Sequence, residues 1–150
     1  MNILIVCTGN TCRSPMAQAL LTQKCEERGL DVYVSSAGIS TADGLLASNN
    51  AVIAAGEMEC DISLHTSREI TAADISSADI ILTMTDAQRD ALKVGLGEEK
   101  VFTIGEFIGN PEEEVCDPFG EDIDVYRECA MQLDEMLEEV ADRLEDEYDV

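Results

Sequence analysis

The stretch VCTGNTCRSP, residues 6–15, decides the fold because it joins a predicted strand to a predicted helix. It follows the apolar run ILIV at residues 3–6, which is typical of a buried strand. It leads into MAQALL at residues 16–21, which is typical of a helix. A cysteine, five further residues and an arginine therefore lie on a strand-to-helix turn. Open α/β sheets bind their ligands at such turns, where a strand ends and a helix begins.

The chemistry of this turn favours an anion held next to a reactive cysteine. A helix amino terminus presents unpaired N–H groups and a partial positive charge, and consecutive loop amides can form an anion-binding nest. Gly9 allows close approach to a ligand, while Ser14 and Pro15 are typical of an N-cap and a first helical residue. In such a nest the thiolate of Cys7 is stabilised, and the Arg13 guanidinium fits two phosphoryl oxygens. The pattern predicts attack by Cys7 on a bound phosphate-like group.

The turn resembles the signature Val-Cys-x-Gly-Asn-x-Cys-Arg-Ser-Pro of the low molecular weight protein tyrosine phosphatases, which lies near the amino terminus in that family. The resemblance extends to SSAG at residues 35–38, to Ala78 and Asp79 before a strand, and to CDPFG at residues 116–120. It therefore spans nearly the whole chain. It implies a loop that binds phosphate or sulfate. The residues of this phosphate-binding loop are Thr8, Gly9, Asn10, Thr11, Cys12 and Arg13.

The resemblance implies two-step phosphoryl transfer with Cys7, Arg13 and Asp117 as catalytic residues. Cys7 attacks phosphorus while Arg13 and the loop amides hold the equatorial oxygens. Asp117, followed by a proline in the irregular stretch 109–122, is implied as the general acid that protonates the leaving atom. It then activates the water that hydrolyses the phosphocysteine. This chemistry requires neither a metal nor an organic cofactor.

Polar residues around the loop are expected to support it rather than to react. The family motif implies that Ser36 hydrogen-bonds the loop, although the bare sequence is equally typical of a turn serine. His65, the single histidine, is implied to help Asn10 keep the shape of the loop. Ser14 is expected to favour the thiolate form of Cys7.

Cys12 is open to two interpretations, because it shares the loop with Cys7. It could trap oxidised Cys7 as a disulfide, which would make it a redox partner, or it could fill space beneath the loop. The six cysteines are not expected to form a disulfide framework in a cytosolic protein. A zinc site is not expected either, because the chain has one histidine and no Cys-x2-Cys pair.

Thr11 and Phe119 indicate which phosphorylated side chain is bound. Tyrosine-specific members of the family commonly carry an aliphatic residue at the position of Thr11 and tyrosines after Asp-Pro, whereas this chain resembles the branch that dephosphorylates phosphoarginine in proteins. The Thr11 hydroxyl would contact a guanidinium or the attacking water, and Phe119 could stack on a planar guanidinium. We expect phosphoarginine, with phosphotyrosine as the alternative. The other interpretation is that threonine at position 11 is a variant without effect on substrate specificity.

Other classes of function fit the sequence less well. A thioredoxin-coupled arsenate reductase would need further cysteines near the end of the third strand, and residues 82–89 contain none. A non-catalytic phosphate-binding module would tolerate loss of Cys7 or Asp117. A receiver-like signalling domain would carry a carboxylate at the position of Cys7, and a thiol redox protein would have Cys-x-x-Cys spacing.

The charge of the chain excludes some partners. With 32 acidic and 9 basic residues the formal net charge is −23, which argues against nucleic acid and anionic membranes as partners. The acidity indicates either a solvated shell or a rim suited to cationic substrates. No apolar run approaches the ~20 residues of a membrane span. No basic region precedes residues 3–6, so we expect a cytoplasmic protein without a signal peptide.

Periodicity and turn residues predict the secondary structure. The predicted strands are residues 1–6, 31–37, 79–84 and 100–104. The predicted helices are residues 14–28, 50–57, 71–75, 87–94, 105–108 and 123–147. Gly29 should end the first helix, Thr71 and Asp74 should form a capping box, and Gly95 and Gly97 should form a turn. We expect one three-layer α/β domain, residues 1–150, with a four-stranded parallel sheet of order 2-1-3-4 and helices on both faces.

Overall fold

The computed structural model describes residues 1–93 and 98–150, and these contain a four-stranded parallel sheet of order β2-β1-β3-β4. The strands are β1 (Asn2–Cys7), β2 (Tyr33–Gly38), β3 (Ile80–Thr83) and β4 (Val101–Thr103). Cys7 pairs with Gly38 and Val6 with Thr83, so the carboxyl ends of the three strands lie at one edge of the sheet. The predicted sheet and its strand order are confirmed.

Six α-helices connect and cover the strands within the described ranges. They are α1 (Arg13–Glu27), α2 (Asn49–Glu57), α3 (Ala72–Ser77), α4 (Asp86–Lys93), α5 (Ile104–Phe107) and α6 (Ile123–Glu147). Gly29 follows α1 with a φ of 67°, and the capping box of Thr71 and Asp74 is present. The predicted helix end at Val94 and the predicted turn at Gly95 and Gly97 lie outside the described residues. None of the helices described has the length and apolar character needed to cross a membrane.

Alternate residues of β1 pack into two different cores. Ile3 and Ile5 belong to a large core that includes residues of α1, α2 and α6. Leu4 and Val6 belong to a smaller core with residues of α3 and α4. Because both faces of the strand are covered, β1 is apolar throughout, as parallel strands between helix layers usually are. The predicted helices on both faces of the sheet are confirmed.

The first helix begins differently from the prediction. The sequence predicts Ser14 as N-cap and Pro15 as the first helical residue, but α1 begins at Arg13, and its N-cap, Cys12, makes no side-chain cap bond. Ser14 is the second residue of the helix and is fully buried, and its hydroxyl lies 2.9 Å from the Cys7 sulfur. The contacts that this hydroxyl makes with the loop outweigh its local preference for a capping position.

The segment that leads to Asp117 packs closely against the start of α5. A Cβ at Gly105 would overlap the carbonyl oxygens of Asn110 and Glu113. The Asn110 amide also donates to the Gly105 carbonyl at 2.8 Å. Only glycine leaves room for this approach, which directs the segment back across α5 toward the carboxyl edge of the sheet.

Ion pairs hold α1, the helix that follows the loop, against α6. Lys24 Nζ lies 2.7 Å from a carboxylate oxygen of Asp134 and 2.8 Å from one of Glu138. Burial by itself would lower the pKa of Lys24, but the bonds to both carboxylates outweigh burial and raise it. Bonds from Lys24 and Arg28 in turn lower the pKa of Glu138. These pairs add to the apolar packing that fixes α1 beneath the loop.

Candidate active site

The loop of residues 7–13 connects β1 to α1 at the carboxyl edge of the sheet. Together with Asp117 and Phe119 it lines a cavity of about 210 Å³. The Cys7 sulfur accepts a hydrogen bond from the Asn10 amide, with 3.3 Å between nitrogen and sulfur, and lies 2.9 Å from the Ser14 hydroxyl oxygen. Donors directed at a sulfur in this way stabilise a thiolate.

Arg13 lies at the other end of the loop, with its guanidinium contacted on two sides. Nη1 donates to the Val115 carbonyl at 3.0 Å, and Nη2 lies 3.7 Å from a carboxylate oxygen of Asp117. The Arg13 side chain is 5% exposed and that of Asp117 is 59% exposed, so the acid lies at the solvent side of the cavity. The three residues predicted to be catalytic, Cys7, Arg13 and Asp117, line one cavity.

Asn10 links the loop to its surroundings through every polar group it has. Its φ of 56° is left-handed, a conformation that asparagine tolerates better than most residues. Its side-chain nitrogen donates to the hydroxyls of Ser14 and Ser36 at 2.8 and 3.0 Å. Its Oδ1 accepts from the Arg68 amide at 3.1 Å, and His65 Nε2 lies 2.9 Å from its carbonyl oxygen. The structure therefore brings Ser14, Ser36 and His65 together around Asn10, and their supporting role stays a prediction.

These contacts determine where the hydroxyl protons point. Ser36 Oγ donates to Gln18 Oε1 at 2.6 Å, so it accepts from the Asn10 amide. Ser14 Oγ accepts the other Asn10 N–H, which leaves its own proton for the Cys7 sulfur. Asn10 therefore contacts the Cys7 sulfur directly through its backbone amide, and its side chain directs the Ser14 hydroxyl proton toward the same sulfur.

We expect Asn10→Ala and Asn10→Gly to lower kcat by about 10- to 100-fold, because both leave the buried partners of the side chain unpaired. Asn10→Ala should also be less stable than Asn10→Gly by about 1 kcal/mol, because alanine is strained at a positive φ. Steady-state kinetics and urea unfolding measure the two effects separately. An Asn10→Ala variant with wild-type kcat and wild-type stability would contradict this account of the loop.

Cys12, which belongs to the loop, contacts the N-cap of α2 and helix α6. Its sulfur is 3.5 Å from the Ser48 hydroxyl oxygen and 3.4 Å from the Tyr126 hydroxyl oxygen. Burial, and then the contact with Cys12, raise the pKa of Tyr126. Cys12 thus fills space under the loop while also sharing the cavity wall with Cys7. Its role as a redox partner stays a prediction.

Three of the four cysteines outside the loop, Cys25, Cys60 and Cys129, are buried. Burial raises the pKa of the Cys25 and Cys60 thiols, and it raises that of Cys129 to about 12. These three side chains are therefore protonated thiols at neutral pH. All six cysteines of the chain are free, and no group of three metal-binding side chains lies together in residues 1–93 and 98–150.

The predicted specificity residues lie at the mouth of the cavity. The Thr11 hydroxyl lies 3.8 Å from the Cys12 sulfur, a long contact that leaves the oxygen available to a ligand. Phe119 is 74% exposed, and its amide donates to Asp117 Oδ1 at 3.1 Å. That bond holds the Asp117 carboxylate and the Phe119 backbone together beside the opening.

Several residues that contact the loop were not predicted from the sequence. Gln88 on α4 donates to the Thr8 hydroxyl at 3.0 Å, while Ser48 and Tyr126 contact Cys12. Gln88 did carry a signal, since Thr85-x-x-Gln88 matches a capping box and the two residues do bond reciprocally. That pattern predicts the start of α4, but it does not predict a contact with the loop.

A parallel α/β sheet whose first strand ends in a cysteine, with an arginine closing the same anion-binding loop, defines the class of cysteine-dependent phosphatases. The model of one family of this class, described as low molecular weight phosphotyrosine protein phosphatase, matches residues 2–150. The chain belongs to this family, as the resemblance in the sequence predicts.

The relatives within the family differ in the substrate that they are named for. The chain is 40% identical over 146 residues to a protein-arginine-phosphatase of Bacillus subtilis (strain 168), which covers 96% of this chain and 97% of that protein. It is 30% identical over 141 residues to the low molecular weight protein-tyrosine-phosphatase PtpB of Staphylococcus epidermidis, which covers 93% of this chain and 96% of that protein. A solved structure of YwlE arginine phosphatase, a C7S mutant with a phosphorylated active-site serine, superposes with a TM-score of 0.94 at 38% identity and covers 98% of this chain and 97% of that one.

Proposed function

We propose that this protein hydrolyses phosphoarginine in other proteins through a phosphocysteine intermediate. In the first step the Cys7 sulfur attacks phosphorus, an S–P bond forms and the P–N bond breaks. Arg13 and the loop amides hold the equatorial oxygens, and Asp117 gives its proton to the leaving nitrogen. In the second step Asp117 takes a proton from water, whose oxygen displaces the sulfur and releases inorganic phosphate.

The observation that carries this proposal is the cavity that Cys7, Arg13 and Asp117 line together. Its volume of about 210 Å³ accommodates a phosphoryl group and part of the side chain that carries it. The phosphorylated serine in the YwlE C7S mutant supports a covalent intermediate at the corresponding position. We further propose that residues 1–150 act as one phosphatase domain in the cytoplasm.

Phosphoarginine is favoured over phosphotyrosine by the residues at the mouth of the cavity. The Thr11 oxygen can bond a guanidinium nitrogen or the attacking water, which an aliphatic side chain cannot do. The Asp117 carboxyl group can accept a hydrogen bond from a guanidinium N–H, and the exposed Phe119 ring offers a flat surface for stacking. The 40% identity over 146 residues to a protein-arginine-phosphatase supports the same choice.

We expect Thr11→Ile to change the ratio of kcat/KM for phosphoarginine to that for phosphotyrosine by about tenfold or more in favour of phosphotyrosine. Loss of a polar partner in a substrate site penalises the substrate that used it, and tenfold corresponds to about 1.4 kcal/mol. Parallel turnover of a phosphoarginine peptide and a phosphotyrosine peptide measures the ratio.

Thr11→Val is the matched control for this test, because it removes the hydroxyl with almost no change in size. It should lose phosphoarginine turnover as Thr11→Ile does, whereas Thr11→Ser should retain it. An unchanged ratio in both Thr11→Ile and Thr11→Val would remove Thr11 as the basis for choosing phosphoarginine. A wild-type enzyme that hydrolyses only the phosphotyrosine peptide would overturn the proposed substrate itself.

A further inference from the structure

Gln88 is a buried polar residue whose side-chain oxygen and nitrogen are both hydrogen-bonded, and it lies outside the loop of residues 7–13. Its Oε1 accepts from the backbone amides of Met84 and Thr85 at 3.0 and 3.2 Å. Two N–H donors fix the oxygen on that side, so the NH2 group must face the other way. There it donates to the Thr8 hydroxyl at 3.0 Å.

Met84, whose amide bonds Gln88, also connects to Arg13 at the other end of the loop. The Met84 carbonyl accepts from the Val115 amide at 3.1 Å. The Val115 carbonyl in turn accepts from Arg13 Nη1 at 3.0 Å. Met84 therefore connects Gln88 on one side with the Arg13 guanidinium on the other.

We propose that Gln88 is a positioning residue that sets the distance between the two ends of the phosphate-binding loop. It bonds Thr8, the residue after Cys7, and through Met84 and Val115 it reaches Arg13. It does not line the cavity, and it acts on the reaction only through these neighbours. The inference rests on the proposed function, because it assumes that the loop holds the phosphoryl group during attack by Cys7.

A role in folding alone would predict something different. Gln88 also closes the turn between β3 and α4, where its backbone amide donates to the Thr85 hydroxyl oxygen at 3.3 Å. If that were its whole contribution, its loss would lower stability and leave the loop unchanged. The bond to Thr8 distinguishes the two roles, because Thr8 takes no part in the turn.

A double-mutant cycle between Gln88→Met and Thr8→Val tests the proposal. We expect each single variant to lower kcat for p-nitrophenyl phosphate by about tenfold, with a smaller change in KM, because a misplaced loop costs most in the transition state. The double variant should be as active as the less active single variant, because Thr8→Val removes only a bond that Gln88→Met has already removed. Competitive inhibition by inorganic phosphate should weaken in parallel in the single and double variants. Losses that multiply to about a hundredfold in the double variant would overturn the proposal.

The pair Thr8→Ser and Thr8→Val keeps the test decisive if Gln88→Met does not fold. Serine retains the oxygen that Gln88 bonds, whereas valine has the shape of threonine without it. We expect the kcat of Thr8→Val to be about tenfold lower than that of Thr8→Ser. Wild-type kcat in Thr8→Val would refute the role of this bond. Failure of the phosphatase chemistry on which the inference rests has a separate signature, because the wild-type protein itself would then not turn over the aryl phosphate.

Discussion

The Cys7→Ser variant is expected to lose at least about 10⁴-fold in kcat while still binding inorganic phosphate. The loop amides and Arg13 that hold the oxyanion are unchanged, so the affinity for phosphate should stay within about threefold. An alcohol is a far weaker acid than a thiol, so donors that suffice to stabilise a thiolate do not produce an alkoxide at neutral pH. Phosphate release measures turnover, and calorimetric titration with inorganic phosphate measures binding.

Cys60→Ser is the matched control, since Cys60 is another buried cysteine but lies outside the loop. Its sulfur donates to Gln23 Oε1, and a serine hydroxyl can make the same bond. This variant should turn over like the wild type. A Cys7→Ser protein that retains wild-type kcat would exclude Cys7 as the nucleophile and with it the phosphocysteine pathway.

The sequence could predict the loop because its parts are contiguous. Cys7 and Arg13 are separated by only five residues, the strand before them is an unbroken apolar run, and the helix after them begins with the recognisable stretch MAQALL. Asp117 was predicted through the family motif alone, since it is one of 32 acidic residues. The local pattern of its segment indicates only a turn.

The role of a side chain could not be predicted from the local sequence where tertiary contacts decide it. Ser14 has the preference of an N-cap, but its hydroxyl bonds Cys7 and Asn10 inside the helix. Gln88 lies 80 residues from Thr8 along the chain, and Tyr126 lies 114 residues from Cys12. No spacing rule reaches that far, so such contacts emerge only when the sheet has brought the strand ends together.

The different positions of Arg13 and Asp117 fit the different roles proposed for them. Arg13 is buried and bonded to Val115, which suits a group that must hold its geometry while phosphorus changes its bonds. Asp117 is more than half exposed, and its carboxylate lies 3.7 Å from the guanidinium, a long distance for an ion pair. The ion pair with Arg13 is therefore weak. An acid that gives up a proton and later accepts one from water must meet solvent, and the mouth of the cavity provides this.

Asp117→Asn is expected to lower kcat by about 10²- to 10³-fold, because the variant can neither protonate the leaving nitrogen nor activate water. Asparagine has the same shape, and its Oδ1 can still accept from the Phe119 amide, so the loop should keep its geometry. The loss in kcat/KM, which reports the first step, should be larger for a phosphoarginine peptide than for p-nitrophenyl phosphate, whose leaving group needs little protonation. Because the second step also lacks its base, phosphorylated Cys7 should accumulate and be visible by mass spectrometry after rapid quenching.

Asp122→Asn provides a control in the same segment. Asp122 caps α6 by accepting from the Val125 amide at 3.2 Å, and asparagine caps equally well, so this variant should keep wild-type kcat. If kcat/KM falls by the same factor with both substrates, the side chain positions the segment rather than protonating the leaving group. If Asp117→Asn loses nothing with either, Asp117 has no part in the reaction, and another acid near the mouth must supply the proton. The dependence on the leaving group thus separates proton transfer from geometry, which the loss of activity alone cannot do.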